Sequence, residues 1–119
     1  MATVLTQSGE EWLVDKIDEQ VQTTGDWIAW GTGTGTASKS DTDLFGPTSE
    51  ARVQGTRSKP AADKIRWVGT ITADGAKTIR EAGNFTASSG GTLIVHGDFD
   101  GIDVQANDQI EFTIDLEIT

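Results

Sequence analysis

The chain contains no cysteine, so disulfides, thiolate nucleophiles and thiolate zinc sites are excluded together. Basic residues are few: nine Lys and Arg against nineteen Asp and Glu leave a formal charge of −10. Binding nucleic-acid phosphates needs clustered cations, and none cluster here, which argues against nucleic acid or an anionic membrane as partner. No apolar run approaches the roughly 20 residues that cross a bilayer. Near the N-terminus, Gly9, Glu10 and Glu11 interrupt the chain before a signal-peptide core can form. The expectation is a protein made and folded in a host cytoplasm. Histidine occurs once, as His96, which removes any His-His metal pair.

What is present is acidic and rich in glycine. Asp is the commonest charged residue and Lys is scarce. The acids are spread along the chain, which reads as a solvated acidic surface. A sharper reading is adaptation to high salt. Only 35% of the 119 residues are hydrophobic, so the chain is expected to be one domain with a modest core, supported by neighbouring subunits. We divide it into an N-terminal arm and helix over 1–25 and a β-sandwich over 26–119.

The plainest local signal is at the end. Ile110, Phe112, Ile114, Leu116 and Ile118 alternate with Glu111, Thr113, Asp115, Glu117 and Thr119, the pattern of a half-buried strand with one wet face. Lys64 to Ala73 alternates in the same way, with Ile65, Trp67, Gly69 and Ile71 on one side. Further strands are expected over 26–30, 49–57 (Ala51 and Val53 inward), 78–87 and 92–99. Turns are expected at 59–63, at Asp74-Gly75, over 88–91, at Asp100-Gly101 and over 106–108. One helix is expected from about Gly9 to Gln20, started by a Ser8–Glu11 capping box and stopped near Gly25. Its apolar side carries Trp12, Leu13, Ile17 and Val21, with Asp15, Asp18 and Glu19 opposite. The fold class is all-β and mainly antiparallel: a β-sandwich or jelly-roll-like barrel with one short N-terminal helix.

Candidate chemistry is sparse. Gly31, Gly33 and Gly35 lack the Gly-Lys-Ser/Thr of a phosphate loop and the third glycine of a dinucleotide fingerprint, so they suit a permissive turn or a close approach of backbones. Asp98, Asp100 and Asp103 are weak candidate metal ligands around Gly101, but their spacing departs from the calcium-loop pattern and fits a turn better. His96 is expected to face solvent or a neighbouring subunit. Glu81 has no second acid to make a glycosidase pair, and is expected to meet an arginine or to accept backbone N–H groups at a bulge marked by Gly83. Asn84-Phe85-Thr86 matches the glycosylation acceptor pattern, which goes unused without secretion. Trp12, Trp27, Trp30 and Trp67 suit core or subunit contacts; stacking on sugar rings is the alternative. We take no catalytic, cofactor or metal site as the expectation. Partner-binding candidates are Trp12, Leu13, Ile17, Trp27 and Trp30.

Several strings then appear in a familiar order: Trp27 to Thr34, Asp41 to Leu44, Glu50 to Val53, Ile79 to Phe85, Ser89 to Leu93 and Asp108 to Ile114. From about Asp26 onward the chain resembles a diffuse family of small β proteins of tailed viruses that serve as capsid-surface or tail-fibre structural proteins. Asn84 departs from the pattern, standing where an apolar residue is expected, and the helix lies outside it. The resemblance implies a non-enzymatic virion protein, most simply one decorating the outside of the shell and bound to the major capsid protein or other virion proteins. A tail-fibre or baseplate module and a carbohydrate-binding module are the alternatives. A cyclic homo-oligomer is expected, with a trimer favoured over a pentamer or hexamer.

Overall fold

The computed structural model describes residues 2–24 and 26–118, with side chains other than those of 20–24. Helix α1 (Gln7–Thr24) is followed by strands β1 (Trp27–Gly31), β2 (Val53–Gln54), β3 (Thr56–Ala61), β4 (Lys64–Thr72), β5 (Lys77–Phe85), β6 (Leu93–Val104) and β7 (Gln109–Glu117). The strands form two antiparallel sheets, ordered β2-β1-β5-β6 and β3-β4-β7. This is the expected all-β class, as an open sandwich of two sheets. The core lies between them. Ile28, Trp30, Ile79 and Ala82 from the first sheet meet Ile65, Trp67, Ile71 and Phe112 from the second, with Trp30 edge-on to Phe112 at 6.2 Å.

The alternation of β4 and β7 follows the sequence closely, and the two pair in unbroken register from Lys64↔Glu117 to Thr72↔Gln109. Three elements differ from expectation. The strand expected over 49–57 is two short strands either side of Gly55, where the chain passes from one sheet to the other; Val53 packs against the core but Ala51 is exposed. β3 continues to Ala61 through the position expected to turn, with an irregular register between Ser58 and Ala61 that accommodates Pro60 at a sheet edge. β6 runs on through Asp100-Gly101. Glu81 pairs with Asp98 and Ile79 with Ile102, so a bulge absorbs the residues that resemble a turn.

The helix differs in its cap and its buried face. The Thr6 hydroxyl accepts from Gly9 N–H at 3.0 Å, so Thr6 takes the capping role expected of Ser8. Val14 is the helix residue driven fully into the core, and Ile17 packs beside it. Asp15 and Asp18, expected to face water, instead pair with β3: Asp18 Oδ1 accepts from Arg57 Nε at 2.7 Å, and Asp15 pairs with Lys59. These ion pairs turn the acidic flank toward the sheet and leave Trp12 59% exposed, with Lys16 Nζ 5.8 Å from its ring centroid. Gly25, Thr119 and the side chain of Val21 lie outside the described residues.

Candidate functional site

Residues 32–52 carry no strand or helix and lie over the outer face of the β1-β5-β6 sheet. Cross-strand partners share a face, so the pairs Gly31↔Glu81, Glu81↔Asp98 and Gly83↔His96 place Glu81 and His96 on the side opposite the Trp30–Ala82 core face. Glu81 is 0% exposed. A carboxyl group buried there needs hydrogen-bond partners, and the covering segment brings them. Oε1 accepts from Phe45 N–H at 2.7 Å; Oε2 accepts from Gly46 N–H at 2.8 Å and Gly33 N–H at 3.1 Å. This explains the glycine run. A Cβ on Gly31 would lie 2.5 Å from Glu81 Oε2, and one on Gly33 would lie 2.4 Å from Gly46 N.

His96 completes the cluster. Its side chain is 4% exposed, its Nε2 is 2.8 Å from Glu81 Oε1, and its Nδ1 is 2.7 Å from Asp41 Oδ2. Phe45 packs against the imidazole with ring centroids 4.8 Å apart. Burial alone would lower the histidine pKa; hydrogen bonds and attraction from Asp41 and Glu81 outweigh it and raise the value above the usual 6.5. Asp41 is held below the usual carboxylate range, first by the Ser38 backbone N–H, which donates at 2.7 Å, and then by His96. Both ring nitrogens face carboxylate oxygens, so the protonated ring can donate on both sides, which is the form this site favours. With both nitrogens engaged by Asp41 and Glu81, neither is turned toward a substrate. The cluster clamps the covering segment to the sheet. A cavity of about 430 Å³ opens beside it, lined by Ala37, Ser38, Lys39, Asp41, Val95 and His96.

The expectation that His96 faces solvent or a neighbouring subunit is therefore wrong: its side chain is buried under the covering segment. Glu81 does accept backbone N–H groups, but from the covering segment, and its side-chain partner is His96, not an arginine. The sequence signals were a lone histidine and a carboxylate in an otherwise apolar strand; their partners Asp41 and Phe45 lie far away in the chain.

Several other polar groups also hold elements together. Asp26 Oδ1 accepts the Trp67 indole N–H at 2.8 Å, and Asp26 pairs with Arg57 at 2.9 Å. The Trp30 indole donates to Glu50 Oε1 at 3.0 Å. Burial works against the charge on Glu50, but Lys77, the Asp74 N–H and Trp30 hold its pKa well below the usual range. Arg52 stacks on Phe85 at 3.6 Å and donates to Ala87 and Gly90 carbonyls at 2.8 and 2.7 Å, pinning the 86–92 turn.

The other candidates fall in separate places. Asp98 accepts the Ala37 N–H at 2.9 Å and Asp103 accepts the Thr78 hydroxyl at 2.6 Å, both from strand β6 and not from a turn. Asp100 borders a different pocket, with Arg80 and Gly33. Among the described residues, no group of three His, Cys, Asp or Glu side chains is placed to hold a metal ion. Trp30 is buried in the core and presents no partner surface; Trp27, Leu13 and Ile17 are half-buried, and Trp12 is exposed. Asn84 is fully buried, so it cannot accept a glycan in the folded chain. No protein-family model, curated protein sequence or solved structure matches this chain.

Proposed function

We propose that this chain is a non-enzymatic structural protein of a tailed-virus particle, decorating the outside of the capsid as a homo-oligomer. The observation that carries the non-enzymatic half is the Glu81–His96–Asp41 cluster. Its donors and acceptors are engaged with one another and with the 32–52 segment, which suits a rigid scaffold and leaves no free acid–base pair. The viral half rests on the resemblance of the chain from about Asp26 onward to small β proteins of tailed viruses. A charge of −10 keeps such a surface soluble and away from packaged nucleic acid. A sugar-binding role gains little support, since Trp30 and Trp67 are buried and Trp27 half-buried, leaving no aromatic platform on the sheets among the described residues.

Antibody labelling of purified virions under the electron microscope tests the proposal. Label over the capsid surface supports decoration. Label confined to the tail favours a fibre or baseplate module, and glycan-array binding by the isolated chain would favour the carbohydrate reading.

A further inference from the structure

One flank of the sandwich is open. β6 and β7 are the outer strands of their sheets, and each carries backbone N–H and C=O groups unpaired by any strand on its outer edge. Between them runs a largely apolar groove of about 280 Å³, lined by Ala82, Val95, Gly97, Phe99, Phe112 and Ile114. Gly97 is unusual among the strand glycines. A Cβ on Gly31, Gly69, Gly83 or Gly101 would come within 3 Å of a neighbouring atom, whereas one on Gly97 would meet nothing within 4 Å. Its φ is not positive either. Nothing inside the described chain requires glycine there, and a bare strand position facing an open groove is where another backbone can approach.

The rim of the groove limits what can approach. Asp115 lines the groove, and the two strands that form the rim also carry Asp98, Asp100 and Asp103 on β6 and Glu111 and Glu117 on β7. Asp115 and Glu117 are paired with Arg66 and Lys64. Most of a surface carrying a net charge of −10 is repelled by that rim. The Ala2–Leu5 arm is an exception that is also apolar and exposed. It has no charged side chain and no helix or strand of its own, and it leaves Val4 83% and Leu5 53% exposed. Its Thr-Val-Leu run has the side chains that suit a strand.

We infer that the β6–β7 groove seats the Ala2–Leu5 arm of a second copy of this chain, added as an extended strand along the edge of β6. The arm's main chain meets the unpaired edge, and alternation turns one of Val4 and Leu5 toward the groove. Arm and groove are different surfaces, so successive copies join head to tail and close a ring when the rotation allows. The inference rests on the homo-oligomer reading above and names its interface.

The absence of cysteine makes the contact directly testable. Chains carrying Val4→Cys and chains carrying Gly97→Cys, both at open positions, are mixed and mildly oxidised. The expected product is a disulfide between the two kinds of chain, in excess over either homodimer. Adding Leu5→Asp to the arm should remove it through repulsion by the rim, while Leu5→Lys should retain it. Gly97→Val should fill the groove and shift sedimentation toward the monomer while the chain remains folded. Oligomers without the cross-linked pair would overturn the interface and leave the oligomer reading standing. A monomer at every concentration would overturn both, whereas absence of the chain from virions would overturn only its proposed location.

Discussion

His96 carries the clearest chemical consequence at the scale of single residues. Because the fold favours its imidazolium, its contribution to stability is complete below about 6.5, the ordinary histidine value, and is lost as pH rises through the raised folded value. Asp41 works in the opposite sense: its contribution is complete above 3.8 and is lost as pH falls through its lowered value. The denaturant midpoint should therefore hold between these limits and decline on the alkaline side. As the only histidine, its ring resonance can be followed by NMR without assignment. A midpoint of titration above 6.5 is expected, and one at or below it would refute the charged clamp. Asn84 gives a second residue-scale prediction. It lies on the core face of β5 opposite Ile28 and Val95, fully buried, with neither its carboxamide oxygen nor its nitrogen hydrogen-bonded within the protein. An unsatisfied buried polar group costs about 1–3 kcal/mol. Asn84→Leu, which keeps the branched shape with somewhat greater bulk, should raise the unfolding free energy by that order in urea; a loss would mean the amide is satisfied in solution or the larger side chain is not accommodated.

Among the elements, the helix separates core from surface. Val14→Ala opens a cavity beneath it and should destabilise the fold by roughly 2 kcal/mol, whereas exposed Trp12→Ala should stay within about 0.5 kcal/mol. Equilibrium unfolding of the two variants checks this, and equal losses would mean the helix packs through both faces. The existence of this helix was legible from its apolar spacing, but its orientation was not. Asp15 and Asp18 read as a wet face because Arg57 and Lys59, which neutralise them, are about forty residues away in the chain. β7 was legible residue by residue because each side of it has one environment. β6 was not, since Asp100-Gly101 has the composition of a turn and only pairing with β5 keeps it extended. The clamp was the least legible part. Glu81 and His96 stood out as residues, but nothing local pointed to Asp41, or to Gly33 and Gly46 meeting face to face.

For the whole molecule, the excess of acid predicts a response to salt. Dispersed carboxylates repel one another through a Debye length near 10 Å at about 0.1 M salt, and molar salt shortens it to about 3 Å. The thermal midpoint should rise from low to molar NaCl, and a flat series would indicate an ordinary acidic surface. Repeating the series with a salt of weak salting-out power separates screening from strengthened apolar burial. The central claim concerns where this 53 × 29 × 24 Å body resides, and reconstruction of the native virus particle by cryo-electron microscopy tests it most directly. Density of this size and two-sheet shape is expected on the outer capsid surface, in symmetric clusters joined arm to groove. A complete reconstruction of shell and tail with no density that accepts this fold would contradict it.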